Sequence, residues 1–238
     1  MTPADLRTLI SCIDLTSLND HDSLESITAL CQQAMTPQGP VAAVCIYPAF
    51  VSHAWQCLME TPVKIATVVN FPTGNEPIET VTNTIQQAIL DGATEIDIVI
   101  PKENIKHFIR HCKNLCGNKA LLKVILETGN KSLGEIEKIS TIAIEQDADF
   151  LKTSTGKINI GATPEAAEII LNTIKKLNNP NKLTGFKASG GIRTLIQAKI
   201  YIDLIKNILG TQAFHPSRFR IGASSLLEEI LCAFPNQS

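Results

Sequence analysis

Eight times along this chain a short run of aliphatic and β-branched residues gives way to a segment of helical period, with no linker or low-complexity stretch between them. That alternation constrains the fold more than any single residue does. Parallel strands need a crossover connection, and the usual crossover is a helix. The strand-like runs are Leu9–Leu15, Val41–Tyr47, Val63–Phe71, Glu95–Ile100, Leu121–Glu127, Ala148–Thr153, Leu183–Ala188 and Phe219–Gly222. Several are nearly continuous apolar stretches, as expected of strands covered on both faces. Between them Leu24, Ile27, Leu30 and Cys31 share one helical face, and Asp22 with Glu25 is spaced as a capping box. Ile78, Val81, Ile85 and Ile89 repeat the pattern, and Gly92 is placed to stop that helix. Thr163-Pro164 reads as a cap followed by an N1 proline, ahead of the stripe Ile169, Ile170, Ile174 and Leu177. Eight strand–helix pairs predict an α/β protein, a (β/α)8 or TIM barrel forming one domain over residues 1–238. An open doubly wound sheet is the competing arrangement.

Composition narrows the function. Charged residues make up 18% and hydrophobic ones 44% of the 238 residues, which excludes a disordered chain. The net charge of −2 offers no basic surplus for nucleic acid or an anionic membrane, so any anion site must be local. Seven scattered cysteines, an odd number, read as free thiols in a reducing compartment. The N-terminal MTPADLRTLISCIDLT lacks a basic stretch leading into a long apolar run, and no apolar run approaches bilayer length. A cytoplasmic location is expected.

Lysines at the ends of successive strand candidates carry the chemistry. Lys123 lies in LLKVILE, Lys152 in ADFLKTSTGK and Lys187 in LTGFKASGGIRT. Burying an ammonium is costly, and one strand-end lysine alone is ordinarily a snorkelling surface residue. Three at matching strand ends point to a shared site. An ordinary lysine is neutral in only roughly one molecule in 2,500 at pH 7. A second ammonium about 4 Å away, at an effective dielectric near 20, costs roughly 4 kcal/mol, or about three pKa units. Crowded lysines therefore yield a neutral amine, a nucleophile toward aldehydes and ketones. Asp97 alternates in facing with Ile96 and Ile98, which aims it at the barrel mouth beside the lysines. Its blander role is to neutralise a buried lysine.

A phosphate site is legible separately. Ser189-Gly190-Gly191-Ile192-Arg193-Thr194 opens one helix after strand seven, and Gly222-Ala223-Ser224-Ser225 opens another after strand eight. Glycines let the backbone approach an anion, free N–H groups at helix starts bind it, and these loops are the habitual phosphate position of this barrel. Arg193 and Lys157 are placed to add cationic contacts. A lone Gly-Gly pair usually marks only a turn, but two such loops in corresponding places point to a phosphate monoester.

DFLKTSTGK, GFKASGG-IRT, GASSLL, the early IDLT and the ETG after strand five together resemble the 2-deoxyribose-5-phosphate aldolase family, from Leu9 to Leu227. The resemblance implies a class I aldolase that cleaves 2-deoxyribose 5-phosphate reversibly to glyceraldehyde 3-phosphate and acetaldehyde, with Lys152 forming the imine. It implies that Lys187 perturbs or relays protons and that Asp97 accepts and donates them through water. Lys123 falls on the family's strand-five lysine of the same network. Cys45, at the end of strand two, is implied to line the mouth, while Asp14 and Thr16 end strand one and hydrogen-bond within the site. No metal or organic cofactor is implied. Small phosphosugars and aldehydes are the expected partners, with a homodimer the ordinary assembly. Ala188 stands where some relatives carry proline. The chain closes on CAFPNQS, without the tyrosine-ending tail that some bacterial members use over the site.

His107 and His111 are spaced i, i+4 on KENIKHFIRHCKNLC, with Cys112 and Cys116 following, a pattern that can hold zinc. The segment runs away from the expected mouth, so a solvated helix face is its simpler reading. His21, His53 and His215 form no cluster. Three alternatives remain: another Schiff-base phosphosugar aldolase or transaldolase, a metal-dependent lyase, and a non-catalytic phosphosugar-binding barrel.

Overall fold

The computed structural model describes residues 1–177 and 183–234. Eight parallel strands close into a barrel: β1 (Ile13–Thr16), β2 (Ala43–Ile46), β3 (Lys64–Val69), β4 (Glu95–Val99), β5 (Leu121–Ile125), β6 (Phe150–Lys152), β7 (Gly185–Ser189) and β8 (Phe219–Ala223). Each strand pairs with its sequence neighbours, and β8 pairs with β1 to complete the ring. Helices α1 (Pro3–Ser11), α2 (Leu24–Gln33), α3 (Val51–Leu58), α4 (Ile78–Leu90), α5 (Ile105–Cys116), α6 (Leu133–Glu145), α7 (Pro164–Leu177), α8 (Leu195–Leu209) and α9 (Leu226–Cys232) accompany them. The expected α/β barrel is the observed one.

The two-residue period sorts the strand side chains into two layers. Ile96 and Ile98 on β4, Leu122 and Val124 on β5, Leu151 on β6, and Phe186 and Ala188 on β7 all join the large core beneath the helices. The intervening positions point inside the barrel. There Ala43, Cys45, Ala66 and Val68 from β2 and β3 form a small apolar cluster. The inward positions of the other strands are mostly ionisable: Asp14, Glu95, Asp97, Lys123, Lys152, Lys187 and Arg220, all buried. Both layers are buried, so the strands carry almost no exposed residue to mark the alternation.

Local signals set the helix starts. Ser132 with Glu135 and Thr194 with Gln197 form capping boxes for α6 and α8. Thr163 Oγ1 accepts from Ala166 N at 3.2 Å, capping α7 ahead of Pro164. Gly92 follows α4 with φ +107°, and a Cβ there would meet the Trp55 side chain at 2.4 Å.

Two expectations need correction. Leu9–Ser11 belongs to α1, not to a strand: Pro3 at the helix start and the Thr2/Asp5 capping box nucleate a helix, whose Leu6, Leu9 and Ile10 are buried. Its apolar residues run directly into those of β1, and that continuity masks the boundary. The cap of α2 is Ser23 with Ser26, not Asp22 with Glu25. Asp22 is engaged in the preceding loop, where its carboxylate accepts from Ser17 Oγ at 2.7 Å and Asn19 N at 3.0 Å.

Ile174 on α7 is wholly buried against the barrel. Ile174→Ala should cost about 2–5 kcal/mol of unfolding free energy, read as a lowered urea midpoint at unchanged m-value.

Candidate active site

One carboxylate organises the barrel interior. Asp97 Oδ1 accepts from Lys123 Nζ at 2.7 Å, while Oδ2 accepts from Lys152 Nζ at 2.9 Å and Lys187 Nζ at 2.8 Å. Register brings these groups together: Asp97 pairs with Lys123 across β4 and β5, and Lys152 with Lys187 across β6 and β7. Lys123 sits deeper than the other lysines, because it is Ile125 that stands level with Lys152. Lys123 also meets Glu95 at 2.7 Å and Asp14 at 3.5 Å, and Lys187 meets Asp14 at 2.5 Å. Beneath them Arg220 reaches Asp14 at 2.6 Å and both oxygens of Glu95, at 2.9 and 3.2 Å.

The sum of these charges sets the three lysines apart. Four cations share three carboxylates, and the surplus falls where partners are fewest. Among the described residues Lys123 faces three carboxylates, Lys187 and Arg220 two each, and Lys152 only Asp97. Burial lowers the Lys152 pKa and Lys187 lowers it further, with Asp97 only partly offsetting them. Burial alone would also lower Lys187, but Asp14 and Asp97 hold it well above the ordinary lysine value. The same contest at Lys123, with Asp97, Glu95 and Asp14 against burial, raises that ammonium too. Burial would raise Asp97, yet the three lysines hold its carboxyl well below the usual range. Mutual repulsion of crowded lysines is thus an incomplete account. Two of the three are stabilised as cations, and desolvation leads at the third. Lys152 is the one of the three whose pKa is lowered.

Above this network lies a cavity of about 230 Å3 whose wall includes Lys152, the only lysine of the network to reach it. Thr16, Lys157, Gly190, Gly191, Arg193, Gly222 and Ser224 join that wall, as the sequence leads one to expect. Asp14, Cys45, Lys123 and Ser225, expected at the substrate, do not. The first three are completely buried and do not reach the cavity wall. Ser225 instead precedes α9, with no side-chain cap bond. Asp97 and Lys187 are likewise buried, one and two hydrogen bonds from Lys152 through the shared Oδ2.

The rim is stitched between strands. Ser189 O accepts from Thr153 Oγ1 at 2.9 Å and Ser154 Oγ at 2.8 Å, tying the loops after β6 and β7. Gly190 (φ +97°) and Gly191 (φ +84°) adopt the left-handed region, and a Cβ on Gly190 would meet Ser154 Oγ at 2.6 Å. Lys157 Nζ donates to Leu18 O at 2.6 Å across the rim. Arg193 is exposed on the cavity wall. A larger cavity of about 710 Å3 adjoins this one and shares Thr155 and Lys157, but holds none of the buried lysines.

Arg220 and Glu95 were not anticipated from the sequence. Their signal was present: a charged residue at an inward position of an apolar strand, two residues before Asp97 in one case and in Phe219-Arg220-Ile221 in the other. On α5 only part of the solvated-face expectation holds. Cys112 and Cys116 are buried in the core, and His111 Nε2 pairs with Thr82 Oγ1 at 2.8 Å. Among the described residues no group of three His, Cys, Asp or Glu is arranged to hold a metal ion, and no helix is long and apolar enough to cross a membrane. The last residues of CAFPNQS, 235–238, lie outside the described residues.

Comparison with known proteins gives a consistent picture. The family model described as DeoC/LacD family aldolase matches residues 2–228. The deoxyribose phosphate aldolase of Aeropyrum pernix, described as tetrameric, is 26% identical with a TM-score of 0.80, covering 100% of this chain and 94% of that one. QR15, an aldolase, is 29% identical with a TM-score of 0.80 over 94% of this chain and 96% of its own. A Toxoplasma gondii ME49 protein provisionally named deoxyribose-phosphate aldolase is 25% identical, with a TM-score of 0.86 over 97% and 94% of the two chains.

Removing Arg220 takes one cation from two buried carboxylates, leaving Glu95 to Lys123 and Asp14 to Lys123 and Lys187. Arg220→Met should destabilise the protein by about 3–5 kcal/mol, measured by urea unfolding.

Proposed function

The chain belongs to the DeoC/LacD family of aldolases, and from that premise we propose that it is a class I aldolase cleaving 2-deoxy-D-ribose 5-phosphate, in deoxyribose phosphate catabolism in the cytoplasm. The observation that carries the reading is Lys152: a buried amine with a single carboxylate partner, its pKa lowered, facing a cavity rimmed by glycines and cations.

The neutral Lys152 amine adds to C1 of the open-chain sugar, and loss of water gives an iminium. The iminium draws the electrons of the C2–C3 bond as the C3 hydroxyl gives up its proton. Glyceraldehyde 3-phosphate leaves, and the enamine is protonated and hydrolysed to acetaldehyde. The charge sum favours the cleavage step. The iminium is a fourth cation against three carboxylates, and bond cleavage to the neutral enamine relieves that excess. Asp97, held as an anion, and Lys187, held as a cation, hand protons to and from the substrate through water. The imine is itself the electron sink, so the proposed route uses no metal or organic cofactor.

The phosphate lies against Gly190, Gly191, Gly222 and Ser224, with Lys157 and Arg193 at the rim. Backbone N–H groups at these loops and the two cations neutralise it and hold C1 over Lys152. A different phosphosugar aldolase or transaldolase would use the same lysine, and a panel of aldoses and ketoses separates them.

Borohydride reduction with 2-deoxyribose 5-phosphate, followed by peptide mass spectrometry, should place a substrate-dependent adduct on Lys152. An adduct on Lys123 or Lys187 would reassign the nucleophile, and no adduct on folded, ligand-bound protein would end the Schiff-base reading. Lys152 reacts when unprotonated, so kcat/KM should fall as pH drops through its lowered pKa. Lys187→Gln removes the neighbouring ammonium and leaves Asp97 less compensated, and both changes raise the Lys152 pKa. The acidic limb should therefore move to higher pH by about one unit or more, with activity reduced about 100-fold or more by loss of the proton donor.

A further inference from the structure

Glu127 follows β5 with a backbone φ of +52°, in the left-handed region that residues bearing a Cβ rarely adopt. The hydrogen bonds around it explain the conformation. Leu126 N donates to Lys152 O and Thr128 N to Thr153 O, each at 2.9 Å. A two-residue step after β5 thus faces a one-residue step after β6, and Glu127 is the residue bulged out between them. Bulges of this kind re-aim a side chain beside a site, and such strain persists only where the surroundings hold it.

What the bulge aims at is the loop carrying Lys157. The Glu127 carboxylate accepts from Thr155 N at 3.1 Å and Thr155 Oγ1 at 2.7 Å. Thr155 Oγ1 in turn accepts from Lys157 N at 3.0 Å. Lys157 Nζ then spans the rim to Leu18 O. Leu18, Thr155 and Lys157 line the cavity over Lys152, whereas Glu127 lines the larger neighbouring one. The carboxylate lies outside the reacting centre and acts on its wall from behind.

We propose that Glu127 is a positioning residue: by gripping Thr155 from both its N–H and its hydroxyl, it holds the Thr155–Lys157 segment in the shape that presents the Lys157 ammonium to the anionic end of the substrate. The proposal rests on the phosphosugar reading above. Lys131 is the other group that feels the Glu127 charge, and it supplies the control.

The test combines kinetics with readouts that need no phosphosugar. Loss of both acceptors in Glu127→Ala should raise KM for 2-deoxyribose 5-phosphate about tenfold, and Glu127→Gln, which keeps one, about threefold, with kcat within about twofold. Acetaldehyde-dependent borohydride labelling of Lys152 should stay at the wild-type level, because acetaldehyde carries no phosphate. Glu127→Ala combined with Thr155→Val should be no worse than the more affected single variant. Hydrogen exchange across residues 154–158 should rise in Glu127→Ala and not in Lys131→Met. A wild-type KM in Glu127→Ala overturns the proposal, as does an equal loss of kcat, KM and labelling, or the same phenotype in Lys131→Met. A wild-type enzyme that leaves 2-deoxyribose 5-phosphate intact overturns the functional reading instead, and the exchange measurement still decides whether Glu127 orders the loop.

Discussion

Three lysine ammonium groups converge on one aspartate inside the barrel, and the rest of the site depends on how that aspartate is shared. Asp97 cannot neutralise all of them. Lys123 and Lys187 have further carboxylates to turn to, Glu95 and Asp14, and among the described residues Lys152 has none. At Lys152 burial therefore prevails and the pKa is lowered, whereas at Lys123 and Lys187 the added carboxylates outweigh it. The difference comes from withholding a counter-ion from one member of a crowded group, rather than from crowding alone.

That arrangement is compatible with a stable fold because the charges are confined to the inside of the barrel. The outward residues of the same strands are aliphatic or aromatic and pack beneath the helices in one continuous core. Arg220 and Glu95 form the lowest ring of the charged interior, and Asp14 links it to Lys187. Burying so many ions is seldom favourable in itself. Here the geometry is good enough that Asp97 meets three donors within 2.9 Å. On β2 and β3 the inward residues are small and apolar, Ala43, Cys45, Ala66 and Val68, so the charge is confined to the other six strands of the ring.

Much of this was legible in the residues. Eight alternations of strand and helix pattern name the barrel, because few other folds bury so many short parallel strands. Lys152, Lys187, Gly190 and Gly222 fall at strand ends, where a barrel places its chemistry. Misreadings occurred where neighbouring elements share a composition. Leu9 and Ile10 look like the start of β1 because helix and strand are both apolar there, and only the cap at Thr2 distinguishes them. Cys112 and Cys116 look like companions of His107 and His111, yet the turn of α5 puts the cysteines in the core. Arg220 hid in plain view: a charged residue in an apolar run reads as an edge or a loop until the barrel is known to be polar inside.

What the sequence by itself determined is the set of elements and the types of residue delivered to the mouth. These follow from local periodicity and from which side chains tolerate burial, and neither depends on distant contacts. What only the tertiary structure decided is the division of charge. Whether a lysine is cationic or neutral depends on how many carboxylates stand within a few ångströms of it. Those carboxylates lie on β1 and β4, many residues away from Lys152 in the chain. Strand register brings Asp97 level with Lys123 and Lys152 level with Lys187. Coulomb energies fall with distance in space and take no account of separation along the chain. That is why, of three lysines that look equivalent in sequence, one has its pKa lowered and two have theirs raised.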